Sequence, residues 1–564
     1  MIEIFDNIVL GITALADIRT IGLMFLGVAA GLIAGAIPGF TITMAIVLTL
    51  PFTFGMSAVQ GLATMLGVFV GGLSGGLMAG ILTGIPGTPS SVATTFDGFP
   101  MARKGQPGLA LGIGVWSSFF GGVISAVLLM SVAPQLARIG LEFGPWDYFS
   151  LVLFALTITA SLAGDDLVKG LIAGAFGLLV ATVGSDEING VERFNFGSDA
   201  LEQGFAFLPV LVGLFAFSQL LTDIQDRVKA KLPLMPAGTE AVRIEHRQAI
   251  RAVLSRWRNL FRSSMIGVFT GILPAAGGSI SNILAYDQAK KASKTPEQFG
   301  TGCIDGIVAP ESANNATAGG ALITMMALGI PGDIVTAIML GALLIHDVIP
   351  SPTFITEQPT IAYSIFIAFF VANFIMVGLQ SVCLRAFVLV TRLRMYILAT
   401  VILVYCSIGI FALNNITFDI WTLLIFGIIG YCMKLLRFPL APMILGVVLG
   451  HIAELNLNRS LSTSDDLLLF LTRPWSLFFL ILGLFSMFFP LYQKRRGKEK
   501  WTLFYPAALS LALSLPLFLM DGTVRPALAL ALFLLAGYML WRQSRNGWRV
   551  EAAVDDAEKG LPGE

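Results

Sequence analysis

Two short patterns recur along this chain, and both place glycine and proline inside apolar sequence. Gly31, Gly35 and Pro38-Gly39 recur as Gly267, Gly271 and Pro274 at the same spacing. Gly84-Ile85-Pro86-Gly87 recurs as Gly329-Ile330-Pro331-Gly332. Proline removes a backbone donor and collides with the preceding turn, so each pattern breaks a helix within an apolar run. In lipid, the freed N–H and C=O groups would cost several kcal/mol each. Such breaks persist only where they are buried in protein or line a wet cavity. There, the N–H groups and positive dipole end of a half-helix can hold an anion. Carbonyl ends can hold a cation instead. Gly39, Gly87, Gly277, Gly278 and Gly332 would let a ligand approach the backbone closely.

The side chains beside the breaks are short, polar and uncharged. The first half offers Thr41, Thr43, Thr88, Ser90 and Ser91, and the second Ser279, Ser281, Asn282, Asn314, Asn315 and Thr317. Hydroxyls and amides suit hydrogen bonding to a carboxylate or coordination of a hard cation. Two plainer readings compete. A lone Gly-x3-Gly marks a close helix contact, and Ser or Thr can bond back to its own helix. Duplication of the whole arrangement favours a binding site near the bilayer midplane.

Charged residues near the breaks are few. Glu311 precedes Asn314 and Asn315 by three and four residues, so all three share a helix face. It reads either as an intramembrane holder of a cation or proton, or as a helix cap at the aqueous boundary. Asp333 follows Pro331-Gly332 and reads as an N-cap, with cation ligation as the alternative. Asp97, Arg103 and Lys104 read as a solvated turn, and Asp287 and Asp305 as loop residues. Gly72-Leu73-Ser74-Gly75 has the look of an intramembrane serine protease site, but such a serine needs a base within reach. His346 and His451 are the only membrane-region candidates, and neither has a catalytic context.

The elements that must position these residues follow from composition. Of 564 residues, 56% are hydrophobic and 12% charged, about half the ~25% charge of a soluble domain. Mean hydropathy is +0.82. This excludes a soluble globular enzyme and a disordered chain. Basic and acidic residues balance at 35 each, which argues against nucleic acid as a partner. The four cysteines are scattered, without a disulfide or zinc pattern. No P-loop, HExxH or dinucleotide motif appears. Fifteen apolar stretches lie between about residue 20 and residue 541, several too short or too rich in Gly and Pro for simple spans. The expected fold is an all-α polytopic membrane protein with about 12–14 transmembrane helices, in two repeats that carry broken helices or re-entrant hairpins. No cleavable signal peptide is evident.

Residues 1–222 and 263–493 read as the two repeat halves, and 223–262 as a basic connecting loop. Residues 494–564 hold a second basic loop, two extra helices and a polar tail. The positive-inside rule puts the basic loops in the cytoplasm.

Four stretches of this chain closely resemble the large membrane subunit (TctA type) of the tripartite tricarboxylate transporter family. They are Gly31–Gly39; Gly84–Ser91 with Asp97–Gly105; Ala309–Ala316, which reads APESANNA; and Leu328–Gly332. The resemblance covers about residues 15–490. It implies a permease in a bacterial cytoplasmic (inner) membrane that imports a carboxylate of the tricarboxylate or dicarboxylate class. No cofactor is implied beyond Na+ or H+ as the coupling ion; the ligands of any Na+ site stay open. A periplasmic solute-binding protein and a small membrane subunit are the implied partners, and an elevator-type motion the implied mechanism. The sequence departs from the family pattern at Phe40-Thr41, at His346-Asp347 through Pro352, and at Gln219, where an acid is common. Two alternatives stay open: an intramembrane enzyme such as a serine protease, and a stand-alone permease without partner subunits.

Overall fold

The computed structural model describes residues 2–37, 40–162, 166–186, 190–225, 243–274, 277–390, 403–404, 407–411, 415–496, 498–545 and 547–548. It is an all-α polytopic membrane protein. In chain order the helices are α1 (Ile2–Leu15), α2 (Ile18–Ala36), α3 (Ile42–Thr53), α4 (Ala58–Thr83), α5 (Val92–Arg103), α6 (Pro107–Gly140), α7 (Pro145–Leu162) and α8 (Leu167–Ala181). A two-strand ladder pairs 184–185 with 192–193. Then come α9 (Phe207–Val212), a π-helical turn at Gly213–Phe217, α10 (Ser218–Gln225), α11 (His246–Ser255), α12 (Trp257–Ile272), α13 (Gly277–Ala292), α14 (Asp305–Leu328) and α15 (Ile334–Ile345). The remainder are α16 (Phe354–Glu357), α17 (Pro359–Val390), α18 (Thr417–Leu435), α19 (Leu440–Thr463), α20 (Leu469–Thr472), α21 (Pro474–Arg495), α22 (Trp501–Leu519) and α23 (Val524–Arg545).

Among the described residues, ten helices are long and apolar enough to cross a bilayer. Two of the shorter apolar helices, α3 and α15, sit beside the breaks. Too short to span alone, they are half-helices of the kind that Pro-Gly interruptions produce.

The duplication is visible in the packing. α2 crosses α4 through Gly31 and Gly35, where an added Cβ would lie 2.2 Å from the Val68 carbonyl and 2.1 Å from that of Gly72. α12 crosses α14 in the same way. An added Cβ at Gly267 would lie 2.3 Å from the Ala313 carbonyl, and at Gly271 2.2 Å from that of Thr317. No side chain fits at such a crossing, so the small residues let the backbones touch.

Each repeat then closes on itself. Gly84 and Gly329 end α4 and α14 in the left-handed region, with φ of 77° and 73°, which favours glycine. The chain turns back so that Gly87 meets the Gly35 carbonyl and Gly332 meets that of Gly271; added Cβ atoms would lie at 2.4 and 2.1 Å. The second break of each repeat is therefore pressed onto the end of the helix that carries the first.

α4 and α14 are buried along nearly their whole length and form the centre of the molecule. α22 and α23 lie at the periphery, where few of their residues are covered. α1, α3 and α19 were not among the apolar stretches read from sequence. α19 escapes notice because its second half carries His451, Glu454, Asn456 and Arg459. Part of the polar segment 223–262 is helical, as the end of α10, α11 and the start of α12; its residues 226–242 lie outside the described residues.

Candidate functional site

The chain starts of four half-helices converge on one cavity of about 430 Å3. The start of α3 contributes Thr41, Ile42 and Thr43, and the 3-10 turn before α5 contributes Thr88, Pro89 and Ser90. The second repeat contributes Gly277, Gly278 and Ser279 from α13, and Asp333, Ile334 and Val335 from α15. Phe69 and Leu73 of α4, Phe215 of the π-helical turn, and Gln219 and Lys434 complete much of the wall. Helix N-termini carry positive dipole ends, so four of them around one space favour an anion.

The two second breaks are capped alike. The Ser91 Oγ accepts from the Thr88 N–H at 3.4 Å and donates to its carbonyl at 2.9 Å. Thr336 stands in the same relation to Asp333: the Asp333 N–H donates to the Thr336 Oγ1 at 3.0 Å, and the Asp333 carboxylate accepts from the Thr336 N–H at 2.7 Å. The N-cap reading of Asp333 is therefore met in the geometry. The repeats differ in charge here: Thr88 is neutral and Asp333 carries a carboxylate to the wall.

A second layer of polar residues lies behind the cavity at the repeat interface. Glu311 is fully buried mid-helix in α14 rather than at an aqueous boundary. Its carboxylate accepts from Thr94 Oγ1 at 2.5 Å and Ser118 Oγ at 2.8 Å. Asn282 Oδ1 caps the Ala93 N–H at 2.7 Å across the repeats. Asn315 Oδ1 accepts from Ser74 Oγ at 2.9 Å, and Asn314 Nδ2 donates to the Leu73 carbonyl at 3.2 Å. Thr317 donates to Ser281 Oγ at 2.7 Å. The Asn314 Oδ1 is buried without a hydrogen-bond partner. It lies 2.6 Å from where a Cβ on Gly278 would sit, with the Ser90 Cβ at 2.9 Å from the same point. A buried acceptor without a donor is costly unless a ligand or water completes it.

The candidate residues thus fall into three groups. Thr41, Thr43, Thr88, Ser90, Gly277, Gly278, Ser279 and Asp333 line the cavity. Ser91, Ser281, Asn282, Glu311, Asn314, Asn315 and Thr317 form the buried layer behind it. Pro86, Gly87, Pro274, Pro331 and Gly332 form the breaks themselves and are absent from the wall. Pro38 and Gly39 lie outside the described residues.

Three sequence readings need correction. Asp97 is not in a solvated turn: it sits within α5, fully buried. Its Oδ1 accepts the Gly302 and Cys303 N–H groups at 2.8 and 2.6 Å, and the Gly300 N–H reaches both oxygens at 3.0 Å. Tyr286 OH donates to Oδ2 at 2.9 Å. This clasp ties α5 of the first repeat to α13 and the loop before α14. Asp287 lies within α13 and Asp305 opens α14, so neither is a loop residue.

Sequence reasoning also missed Lys434, whose Nζ donates to Gln219 Oε1 at 2.7 Å on the cavity wall. Its only sequence signal was a lone cation in the last turn of an apolar helix. Ser74 is engaged with Asn315, and the His346 ring faces Thr53 Oγ1 at 3.4 Å, near Gly61. The same helix α4 carries Gly61 and Ser74, more than three turns apart.

The chain resembles an uncharacterised 52.8 kDa protein from the TAR-I ttuC' 3' region of Agrobacterium vitis, 32% identical over 426 residues. That match covers 74% of this chain and 82% of the relative. An uncharacterised protein from the TAR-II ttuC' 3' region of the same organism is 34% identical over 234 residues, covering 41% of this chain and 97% of the relative. No solved structure matches. Residues 21–445 match the family described as the tripartite tricarboxylate transporter TctA family, and the chain belongs to that family.

Proposed function

We propose that this chain is the large permease subunit of a binding-protein-dependent secondary transporter in a bacterial inner membrane. It imports a tri- or dicarboxylate with Na+ or H+ as the coupling ion. A periplasmic solute-binding protein delivers the substrate, and a small membrane subunit completes the assembly. The single observation that carries this reading is the convergence of four half-helix starts on one cavity in a chain of this family.

Substrate carboxylates sit against the helix starts at Ser90 and Ser279, with Lys434 supplying a positive charge. The Asp333 carboxylate would repel an anion bound alone, which favours a cation bound beside it. Asn314 Oδ1, a buried acceptor without a partner, and the hydroxyl of Ser90 are the neutral groups offered to that cation. An elevator-type motion would carry α3, α5, α13 and α15 with the site they form.

The test is uptake of labelled carboxylates into liposomes holding the full chain with its two partners. Accumulation should require an imposed Na+ or proton gradient and collapse when the binding protein is omitted. Accumulation without either gradient would refute secondary transport.

A further inference from the structure

A second basic pocket lies away from the cavity, at the end of the molecule where α12 begins and α13 ends. It encloses about 590 Å3 and is lined by Arg256, Arg258, Arg262 and Lys294, with Asn259 and Gln298 beside them. Among the described residues, Asp305 is the one acidic residue on its wall. That carboxylate is already engaged, by Arg256 at 3.4 Å and by Asn259 Nδ2 at 2.9 Å. The pocket therefore holds a surplus of positive charge.

Arg262 is held in place on the pocket wall. One of its terminal nitrogens donates to Asn259 Oδ1 at 2.7 Å, which fixes the guanidinium plane. Its Nε is buried and has no hydrogen-bond partner. A buried charged donor left unpaired is costly, and a tetrahedral oxyanion can satisfy a guanidinium by two parallel bonds.

The surroundings are those of a membrane interface. Arg258 lies over the ring of Trp257, 5.5 Å from its centroid. Trp257, Phe261 and Leu254 are all exposed, in the pattern of an aromatic belt beside charge. Arg103 and Lys104 reach the same end, where Lys104 Nζ donates to the Thr301 carbonyl at 2.6 Å. Lys290 and Lys291 occupy the last turn of α13. So many cations at one end place it in the cytoplasm by the positive-inside rule, where anionic lipid headgroups gather.

We infer that this pocket binds a phosphate-bearing anion of the kind an anionic phospholipid headgroup presents, with Arg258, Arg262 and Lys294 holding the phosphate and the exposed Trp257 and Phe261 beside the acyl chains. An occupant would tether α12 and α13 to the cytoplasmic leaflet. The inference does not rest on the transport reading.

Native mass spectrometry of the full chain in detergent tests it, with phosphatidylglycerol, phosphatidylcholine and inorganic phosphate as probes. Phosphatidylglycerol should be retained at least tenfold more strongly than phosphatidylcholine. Arg258→Gln with Arg262→Gln should remove at least tenfold of that preference, each charge-assisted contact being worth roughly that factor. Lys294→Gln alone, in a loop and so without risk to a helix, should remove part of it. Arg542→Gln, outside the pocket wall, should change nothing. If inorganic phosphate at millimolar concentration displaces phosphatidylglycerol, the pocket is a phosphate site open to either source. If it does not, the lipid is the occupant. Equal retention of both lipids with no phosphate binding, or unchanged preference in both the double variant and Lys294→Gln, would overturn the inference.

Discussion

Asp97 is the sharpest point at which to perturb the repeat interface. Its carboxylate satisfies three backbone N–H groups of the loop before α14 and the Tyr286 hydroxyl. Gly306 packs so close that an added Cβ would lie 2.0 Å from Oδ2, which leaves little room for water to replace the side chain. In Asp97→Ala the three N–H groups lose their acceptor. Gly300 is exposed, so water can serve its N–H; the part-buried Gly302 and Cys303 N–H groups, at about 1–3 kcal/mol each, put the loss at about 2 kcal/mol or more. Asp97→Asn keeps an oxygen at the Oδ1 position, and the Tyr286 hydroxyl can turn to accept from the new amide. Only charge assistance is lost, about 1–2 kcal/mol. The assay is denaturant unfolding of the purified protein, paired with the rate of maleimide labelling of Cys303 in a chain whose other cysteines are serine. Cys303 supplies one of the clasped N–H groups and is partly buried. Labelling should accelerate markedly in Asp97→Ala and slightly in Asp97→Asn. If Asp97→Ala stays within about 0.5 kcal/mol of the parent and labels at the parent rate, the clasp does not hold the repeats together.

Other outcomes follow from the same geometry. Gly332→Ala puts a methyl 2.1 Å from the Gly271 carbonyl, so it should lower stability by about 1–3 kcal/mol or more; Gly378→Ala, with nothing within 4 Å, should not. Thermal unfolding in detergent compares the two. Lys434→Gln should weaken carboxylate binding about tenfold at unchanged fold, read by titration calorimetry on the purified chain. Glu311→Leu should cost about 2 kcal/mol or more by stranding the Thr94 and Ser118 hydroxyls, whereas Glu311→Gln should retain most of the stability. The Arg525 guanidinium at 2.6 Å holds the Glu142 carboxyl below the usual carboxylate range. That contact pins the α22–α23 hairpin at neutral pH and is lost as pH falls through the lowered value. Glu142→Gln should therefore speed proteolysis near Gly522 at pH 7 and leave it unchanged in acid.

The breaks were legible because Pro and Gly act locally, and their recurrence at matched spacing marked the duplication. Residues flanking the breaks follow from the same local signal, and eight of them line the cavity. What the sequence concealed is long-range. Asn282 meets Ala93 across 189 residues and Ser74 meets Asn315 across 241, and no local pattern encodes such pairs. Asp97 looked solvated because Arg103, Lys104 and Gly105 follow it; its acceptors' partners lie some 200 residues on, at Gly300 and Gly302. Lys434 reaches the wall because α18 packs against the π-helical turn, whose Gly213 lies against the Leu423 carbonyl. The match of the Thr88–Ser91 and Asp333–Thr336 caps was present in the residue spacing, and only the shared hydrogen-bond pattern showed its meaning.

The central claim is that carboxylate and coupling ion share the cavity at the four breaks. The direct measurement is equilibrium binding of labelled tri- or dicarboxylate to the purified full chain, with and without Na+ and across pH, in the parent and in Ser90→Ala with Asn314→Ala. The account predicts saturable binding that tightens with Na+ or with protons, and that weakens at least tenfold in the folded double variant. Binding indifferent to both ions, or equal in parent and variant, would contradict it.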